Sequence, residues 1–317
     1  MIYLCVAVLA FVFEWLYFKV ASRYNIVDKP SERGSSTAIT LRGGGIVFPF
    51  VVLVYFIYSG FAYPWFIAGL LMISCISFYD DVSSLSPRVR LIIHFLAMLM
   101  MFKELGLLAW STWWLVPIML FVCAGAINVF NFMDGVNGIT GGYASIVLLA
   151  LLYVNQRVVP FVDANFILFS LISVLLFCFF NFRKRAKCFA GDVGAVAIAF
   201  VILFFICKLV FATNDFSWFA FLTVYGVDGV LTLVHRLLRH EKLSQPHRKH
   251  AYQLMANELK IPHVAVSAIY MCMQALVCAA YLWRPGLAMF AIVVVLLSVL
   301  YVLFIKKYFH LHLKSGK

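Results

Sequence analysis

Apolar runs of membrane-spanning length recur along the whole chain, from Ile2–Val20 near one end to Gly286–Ile305 near the other. A helix needs roughly 20 apolar residues to cross about 30 Å of hydrocarbon. In lipid a spanning segment must satisfy its own backbone hydrogen bonds, which leaves helices and closed barrels. Barrel strands alternate polar and apolar residues, and these runs do not. With 65% hydrophobic and 12% charged residues among 317, the chain is more apolar than a soluble core requires. The expectation is an all-α polytopic membrane protein. Its spans are predicted at approximately 1–20, 45–60, 64–79, 90–103, 107–127, 138–154, 161–181, 194–212, 217–235, 264–282 and 286–305, about 11 transmembrane helices. The first run carries Glu14 and has neither a basic start nor a small-residue cleavage site, so it reads as a membrane helix and not a signal peptide.

The loops between these spans alternate sides, and the cations are split unequally between them. Of 25 Lys and Arg residues, twenty fall on one side; the other holds Lys103, Arg157 and Arg284, while Lys19 and Lys208 lie near span ends where they can snorkel. The positive-inside rule makes the rich side cytoplasmic, which predicts the N-terminus outside and the C-terminus cytoplasmic. The net charge of +12 is thereby explained by topology and anionic lipid, and no nucleic-acid partner is expected. Seven of the eight cysteines sit inside apolar segments and no CxxC spacing occurs, so neither a disulfide framework nor a zinc site is indicated. No repeat or soluble domain interrupts the pattern. Residues 1–317 read as a single integral-membrane catalytic domain, with active-site loops at about 21–44, 80–90, 128–138, 182–194 and 236–263.

Those cytoplasmic loops carry Asp, Asn, Gly and His in recurring constellations. Asp80 and Asp81 stand adjacent where a span meets the cytoplasm. Such a pair can bind Mg²⁺ through oxygen ligands, or leave one carboxylate as a general base, or simply end a helix before Pro87. Asn128, Asn131 and Asp134 lie three residues apart, a spacing that stacks them on one helical face, and Gly135 and Gly138 follow. Two amides and a carboxylate suit a nucleotide or diphosphate, and equally suit hydrogen bonding between membrane helices. Asn181, then Arg183, Lys184, Arg185 and Lys187, precede Gly191-Asp192-Val193-Gly194. The cations serve as a topological anchor or a phosphate grip, and Asp192 as a helix cap or a metal ligand in open backbone. His247, Arg248 and His250 crowd one segment as phosphate-gripping groups. Asp228, eight residues before Arg236 on nearly the same face, reads as a ligand or as half of a buried ion pair with that arginine.

Together these motifs resemble the bacterial polyprenyl-phosphate N-acetylhexosamine-1-phosphate transferases, the membrane glycosyltransferase 4 family. The resemblance is carried by Asp28-Lys29-Pro30 with Arg33, Arg42-Gly43-Gly44-Gly45, the Asp80-Asp81 loop, the Asn128–Gly138 block, Asn181 with Gly191–Gly194, Asp228, and His247-Arg248 with His250, all in the family's order. Where that family usually has Ser-His and Pro-Thr-Pro before its glycines, this chain has Ser35-Ser36 and Ile39-Thr40-Leu41. The residues after Asp81 and around His247 are not those of the peptidoglycan branch, which argues against a muramyl-pentapeptide substrate.

The resemblance implies a multi-pass enzyme of the bacterial inner membrane with a cytoplasmic active site. Such an enzyme passes a sugar-1-phosphate from a UDP-N-acetylhexosamine to undecaprenyl phosphate, releases UMP and starts a cell-surface polysaccharide such as O-antigen. It implies Mg²⁺ as cofactor, with Mn²⁺ able to substitute, and leaves room for a homodimer. By the same resemblance Asp192 and Asp80 are metal ligands and Asp80 and Asp81 catalytic, while Arg42, Asn128, Asn131, Asp134, Asn181, His247, Arg248 and His250 contact substrate. A transporter or flippase of a lipid-linked sugar is the rival from another class. It would place its polar site near the bilayer midplane, whereas these acids gather at helix ends and Glu14 is the main acid deep in a span.

Overall fold

The computed structural model describes residues 1–28, 39–83, 85–109, 111–242 and 248–315. Helices occupy the predicted intervals: α1 (Ile2–Arg23), α2 (Val47–Tyr58), α3 (Pro64–Val82), α4 (Pro87–Glu104), α5 (Val116–Met133), α6 (Ile139–Arg157), α7 (Ala164–Asn181), α8 (Gly191–Thr213), α9 (Thr223–Leu238), the short α10 (Ala251–Gln253), α11 (His263–Trp283) and α12 (Leu287–Ser315). Among the described residues nine helices are long and apolar enough to cross a membrane, α5 and α9 reaching that length with the 3₁₀ turns that precede them. The protein is an all-α polytopic membrane protein. The other two predicted spans are occupied by weaker candidates. At 12 residues α2 extends only about 18 Å, and α4 carries Arg88, Arg90, Lys103 and Glu104 near its ends.

Local chemistry explains where the helices begin. Pro64, Pro87 and Pro117 stand in the first turns of α3, α4 and α5, where a missing N–H costs no helical hydrogen bond. The Asp163 side chain caps α7 by accepting from Asn165 N at 2.9 Å. The fifth run begins later than its hydropathy predicts, at Trp113 and not near Leu107. Gly106 turns the chain at φ +76°, and the Thr112 hydroxyl bonds the carbonyls of Gly106, Leu107 and Ala109, so polar turn chemistry overrides a stretch that is apolar by composition.

α8 is the centre of the molecule. Nearly every residue from Val193 to Leu209 is buried, as expected of a helix apolar on all sides, and it packs against α2, α3, α5 and α6. Its N-terminus is approached by the chain from Thr40 onward. There a two-stranded antiparallel ribbon pairs Val27–Asp28 (β1) with Thr40–Leu41 (β2). The segment after β2 is then sewn to the α7–α8 loop: Phe189 N donates to Leu41 O at 2.8 Å, Gly44 N to Phe189 O at 2.9 Å and Gly45 N to Ala190 O at 3.1 Å. Gly45 and Gly194 touch backbone to backbone, since a Cβ on Gly45 would stand 2.2 Å from Gly194 Cα. Only glycine fits there, and the contact delivers Arg42 to the start of α8. Glu14 is fully buried beneath this junction, with the Cys188 thiol 3.8 Å from its Oε1.

Candidate active site

Three carboxylates and two guanidiniums meet where α3, α4 and α8 end on one side of the bundle. Asp80 and Asp81 close α3, Arg90 lies in the first turns of α4, Asp192 opens α8, and Arg42 arrives from the chain after β2. Asp81 accepts from the backbone N–H groups of Asp192 at 2.9 Å and Val193 at 3.0 Å, and Arg42 Nε lies 2.7 Å from its Oδ1. A carboxylate at a helix N-terminus answers both the unpaired N–H groups and the positive end of the dipole. Gly191 permits the approach, because at φ +71° a Cβ there would stand 2.6 Å from Asp81 Oδ2. The glycine frame around Asp192 therefore admits a carboxylate from another helix, in addition to leaving the backbone open.

The two adjacent aspartates are separated by their surroundings. The Asp81 side chain is fully buried and both of its oxygens are engaged. Asp80 keeps some exposure; its Oδ1 accepts from Leu85 N at 2.8 Å and its Oδ2 lies 2.6 Å from Arg90 Nη1. Asp192 is shared by both arginines, its Oδ2 3.1 Å from Arg90 Nη1 and its Oδ1 3.4 Å from Arg42 Nη2. Arg90 was not singled out by sequence, where it counts only as one cytoplasmic cation. Its partnership with Asp80 and Asp192 depends on the turn at Pro87 folding α4 back along α3.

The Asn128–Gly138 block divides. Asn128 is exposed and its Nδ2 donates to Ala124 O of its own helix at 2.9 Å. Asn131 lies within reach of the Asp192 carboxylate. Asp134 is not on a continued helical face, because α5 ends at Met133 and Asp134 leaves the helical conformation at ψ 57°. The predicted three-residue stack is thus broken at its last member. Burial pushes the Asp134 carboxyl up to about 7, and the negative charges of Asp192 and Asp81 add to the effect.

Asn181 joins two loops: its Oδ1 accepts from Gly138 N at 2.6 Å and its Nδ2 donates to Cys188 O at 2.8 Å. Both ends of an amide expected to touch substrate are therefore engaged with backbone. Asn137, which sequence reasoning passed over, donates from Nδ2 to the carbonyls of Arg183 and Lys184 and pins the basic loop from the other side. Lys184, Arg185 and Lys187 stay exposed on that loop.

His247 lies outside the described residues. His250 is buried, with Nδ1 3.0 Å from Asp228 Oδ1. Asp228 also accepts from Ala251 N at 3.2 Å, from the Thr232 hydroxyl at 3.1 Å and from the Tyr270 hydroxyl. The ion pair foreseen between Asp228 and Arg236 does not form: Arg236 faces the other way, 3.4 Å from Glu241 and 2.7 Å from Lys242 O. Glu241 also pairs with Arg239 and Lys249. The Tyr252 hydroxyl donates to Phe132 O at 2.8 Å, which docks the histidine segment on the asparagine block. Gly135 leaves room for that ring, as a Cβ would fall 2.2 Å from the Tyr252 hydroxyl.

Among the described residues no three His, Cys, Asp or Glu side chains are gathered closely enough to hold a metal ion between them. Asp80 and Asp192 nevertheless converge on one positive atom, Arg90 Nη1, from 2.6 and 3.1 Å. Two oxygen donors aimed at one point fit Mg²⁺, which commonly takes one or two carboxylates and completes its shell with water and substrate phosphates.

The model of glycosyl transferase family 4 matches residues 63–210. Over that stretch, somewhat less than half of its length, the chain is similar to that family. The matched stretch contains Asp80, Asp81, Arg90, Asn128, Asn131, Asp134, Asn181 and Asp192. Among curated relatives, the probable undecaprenyl-phosphate N-acetylglucosaminyl 1-phosphate transferase of Bacillus subtilis is 26% identical over 279 residues, covering 80% of this chain and 76% of the relative. The undecaprenyl-phosphate alpha-N-acetylglucosaminyl 1-phosphate transferases of Yersinia pestis and Escherichia coli K12 are each 25% identical, over 80% and 79% of this chain and 75% of their own length. These alignments are longer than the family match, so the likeness of this chain to them extends outside the 63–210 stretch.

Proposed function

We propose that the protein transfers an N-acetylhexosamine-1-phosphate from a UDP-sugar to undecaprenyl phosphate and releases UMP, as the first step of a cell-surface polysaccharide. The observation that carries this reading is the cluster of three carboxylates and two guanidiniums at the ends of α3, α4 and α8, in a chain similar to enzymes named for sugar 1-phosphate transfer to undecaprenyl phosphate. Phosphoryl transfer asks a protein chiefly for positioning and charge neutralisation, and such a cluster supplies both. A lipid phosphate oxygen attacks the β-phosphorus of the UDP-sugar, the bond from that phosphorus to the bridging oxygen breaks, and UMP leaves. Asp80, the more exposed of the adjacent pair, takes the proton that the lipid phosphate carries. Asp81 holds the α8 N-terminus and Arg42 in place, and Asn131, Asp134, Arg248 and His250 line the approach of the nucleotide diphosphate. Asp80 and Asp192 would hold Mg²⁺, which supplies charge neutralisation and orientation for the diphosphate when bound. A carrier reading has less support, because the cluster stands at helix ends.

The nucleotide product tests this. With UDP-GlcNAc labelled at the β-phosphorus, the label should enter the lipid product and UMP should accumulate, since attack at the sugar carbon would release UDP and leave the lipid unlabelled. Added UMP should drive exchange back into UDP-GlcNAc, one diphosphate bond replacing another. UDP in place of UMP defeats the proposal.

We propose further that the protein has eleven spans in a bacterial inner membrane, with its N-terminus outside and the site in the cytoplasm, on the strength of the cation split. In a cysteine-free background, single cysteines at Lys184 and Lys249 should resist an impermeant thiol reagent in intact cells, while those at Gly60 and Asn214 react. Labelling of either of the first two from outside reverses the orientation.

A further inference from the structure

Arg90 is unlike Arg42 in how its donors are used. Arg42 is locked, with Nε on the buried Asp81 and Nη2 on Asp192. Arg90 touches both of its carboxylates through one nitrogen, Nη1, at 2.6 Å from Asp80 and 3.1 Å from Asp192. Among the described residues its Nε and Nη2 donate to no acceptor, and about a third of its side chain is exposed. A guanidinium has five N–H groups in a rigid fork suited to phosphate oxygens, and three of these five remain available. The atom Nη1 also occupies the one point on which Asp80 and Asp192 converge. A divalent cation at that point and a guanidinium nitrogen beside it would repel each other at close range, so the carboxylates can hold only one of them.

We propose that Arg90 is a phosphate ligand held on the metal-binding carboxylates, which leaves Asp80 and Asp192 when a divalent cation takes its place and then closes on the diphosphate of the nucleotide sugar. This rests on the transferase reading above and adds to it a residue that exchanges partners. Through that exchange the cluster keeps a positive charge between Asp80 and Asp192 before substrate arrives, and delivers a second positive charge to the phosphates afterwards. Cation and nucleotide then bind in a linked way: each favours the arrangement that the other needs.

The linkage has a signature that a merely structural arginine lacks. Removing Arg90 takes away the competitor for the cation and the ligand for the phosphate, so the two affinities should move in opposite directions. Mn²⁺ binding to purified protein in detergent without nucleotide, followed by electron paramagnetic resonance, should tighten at least threefold in Arg90→Ala. UMP binding at saturating Mn²⁺ should weaken at least tenfold in the same variant, with KM for UDP-GlcNAc raised. Arg90→Lys keeps a charge but not the fork, so it should hold Mn²⁺ nearly as the wild type does and still bind UMP poorly; this variant guards against misfolding of the alanine form. A fall in both affinities together, or no change in either, overturns the proposal. Wild-type protein that binds Mn²⁺ and UMP but forms UDP overturns the transferase reading separately. Wild-type protein that binds neither overturns both.

Discussion

Asp192→Asn should lower kcat/KM by at least about a thousandfold, a loss of ~4 kcal/mol in transition-state stabilisation, while leaving the protein folded in the membrane. The side chain lies within contact distance of both arginines, 3.4 Å from Arg42 and 3.1 Å from Arg90, so its charge is the common element of the cluster. The fold does not rest on that charge in the same way. Arg42 retains Asp81 and Arg90 retains Asp80 in the variant, and an asparagine oxygen can still accept from either. Expression and the apparent melting temperature in detergent should therefore stay close to wild type while transfer from UDP-GlcNAc disappears. EDTA should silence the wild-type enzyme in the same manner, with Mg²⁺ or Mn²⁺ restoring it. Activity of Asp192→Asn within tenfold of wild type would remove Asp192 from the reaction.

Asp81→Ala should do the reverse and strike stability first. It leaves the N–H groups of Asp192 and Val193 without their acceptor at a fully buried position, and takes from Arg42 its nearer carboxylate while Asp192 remains. Each unsatisfied buried donor costs on the order of 1–3 kcal/mol, and the lost pair with Arg42, whose side chain is a third exposed, adds about 1 kcal/mol or less. A total on the order of 2–7 kcal/mol is expected, and the apparent melting temperature should fall by roughly 5 °C or more. Asp81→Asn, which keeps one acceptor, should fall between. Asp80→Ala loses a partly exposed pair with Arg90, worth about 1 kcal/mol or less, and should melt nearly as wild type does while losing activity. Equal melting temperatures for Asp80→Ala and Asp81→Ala would show that burial does not divide the two aspartates by role.

These two aspartates also mark how far the sequence is legible. Adjacent carboxylates at the end of an apolar run announce a site, because a bilayer-embedded chain has few polar positions and places them where they act. Which of the two faces substrate is not written in their order, since it depends on the helix against which α3 packs. Asp192 was read as a cap or a metal ligand from its glycine frame. The cap proved to come from Asp81, 111 positions away along the chain, which no local pattern encodes. The same holds for Asn181 and Asn137, whose amides staple loops that are distant in sequence, and for Asp228, whose partner is His250 and not Arg236.

The sequence by itself determined that this protein is helical and lives in a bilayer, because hydropathy acts through composition over some twenty residues and needs no knowledge of neighbours. It also determined which residue types crowd the helix ends, because cations and acids are excluded from hydrocarbon wherever the chain goes. Only the tertiary structure decided the pairing within that crowd: Arg90 between Asp80 and Asp192, Arg42 between Asp81 and Asp192, and Asn128 turned out to the surface. A short polar contact is set by the distance and angle between two atoms. Those quantities are fixed by how α3, α4 and α8 pack, through backbone approaches such as Gly45 on Gly194, and not by the spacing of letters along the chain.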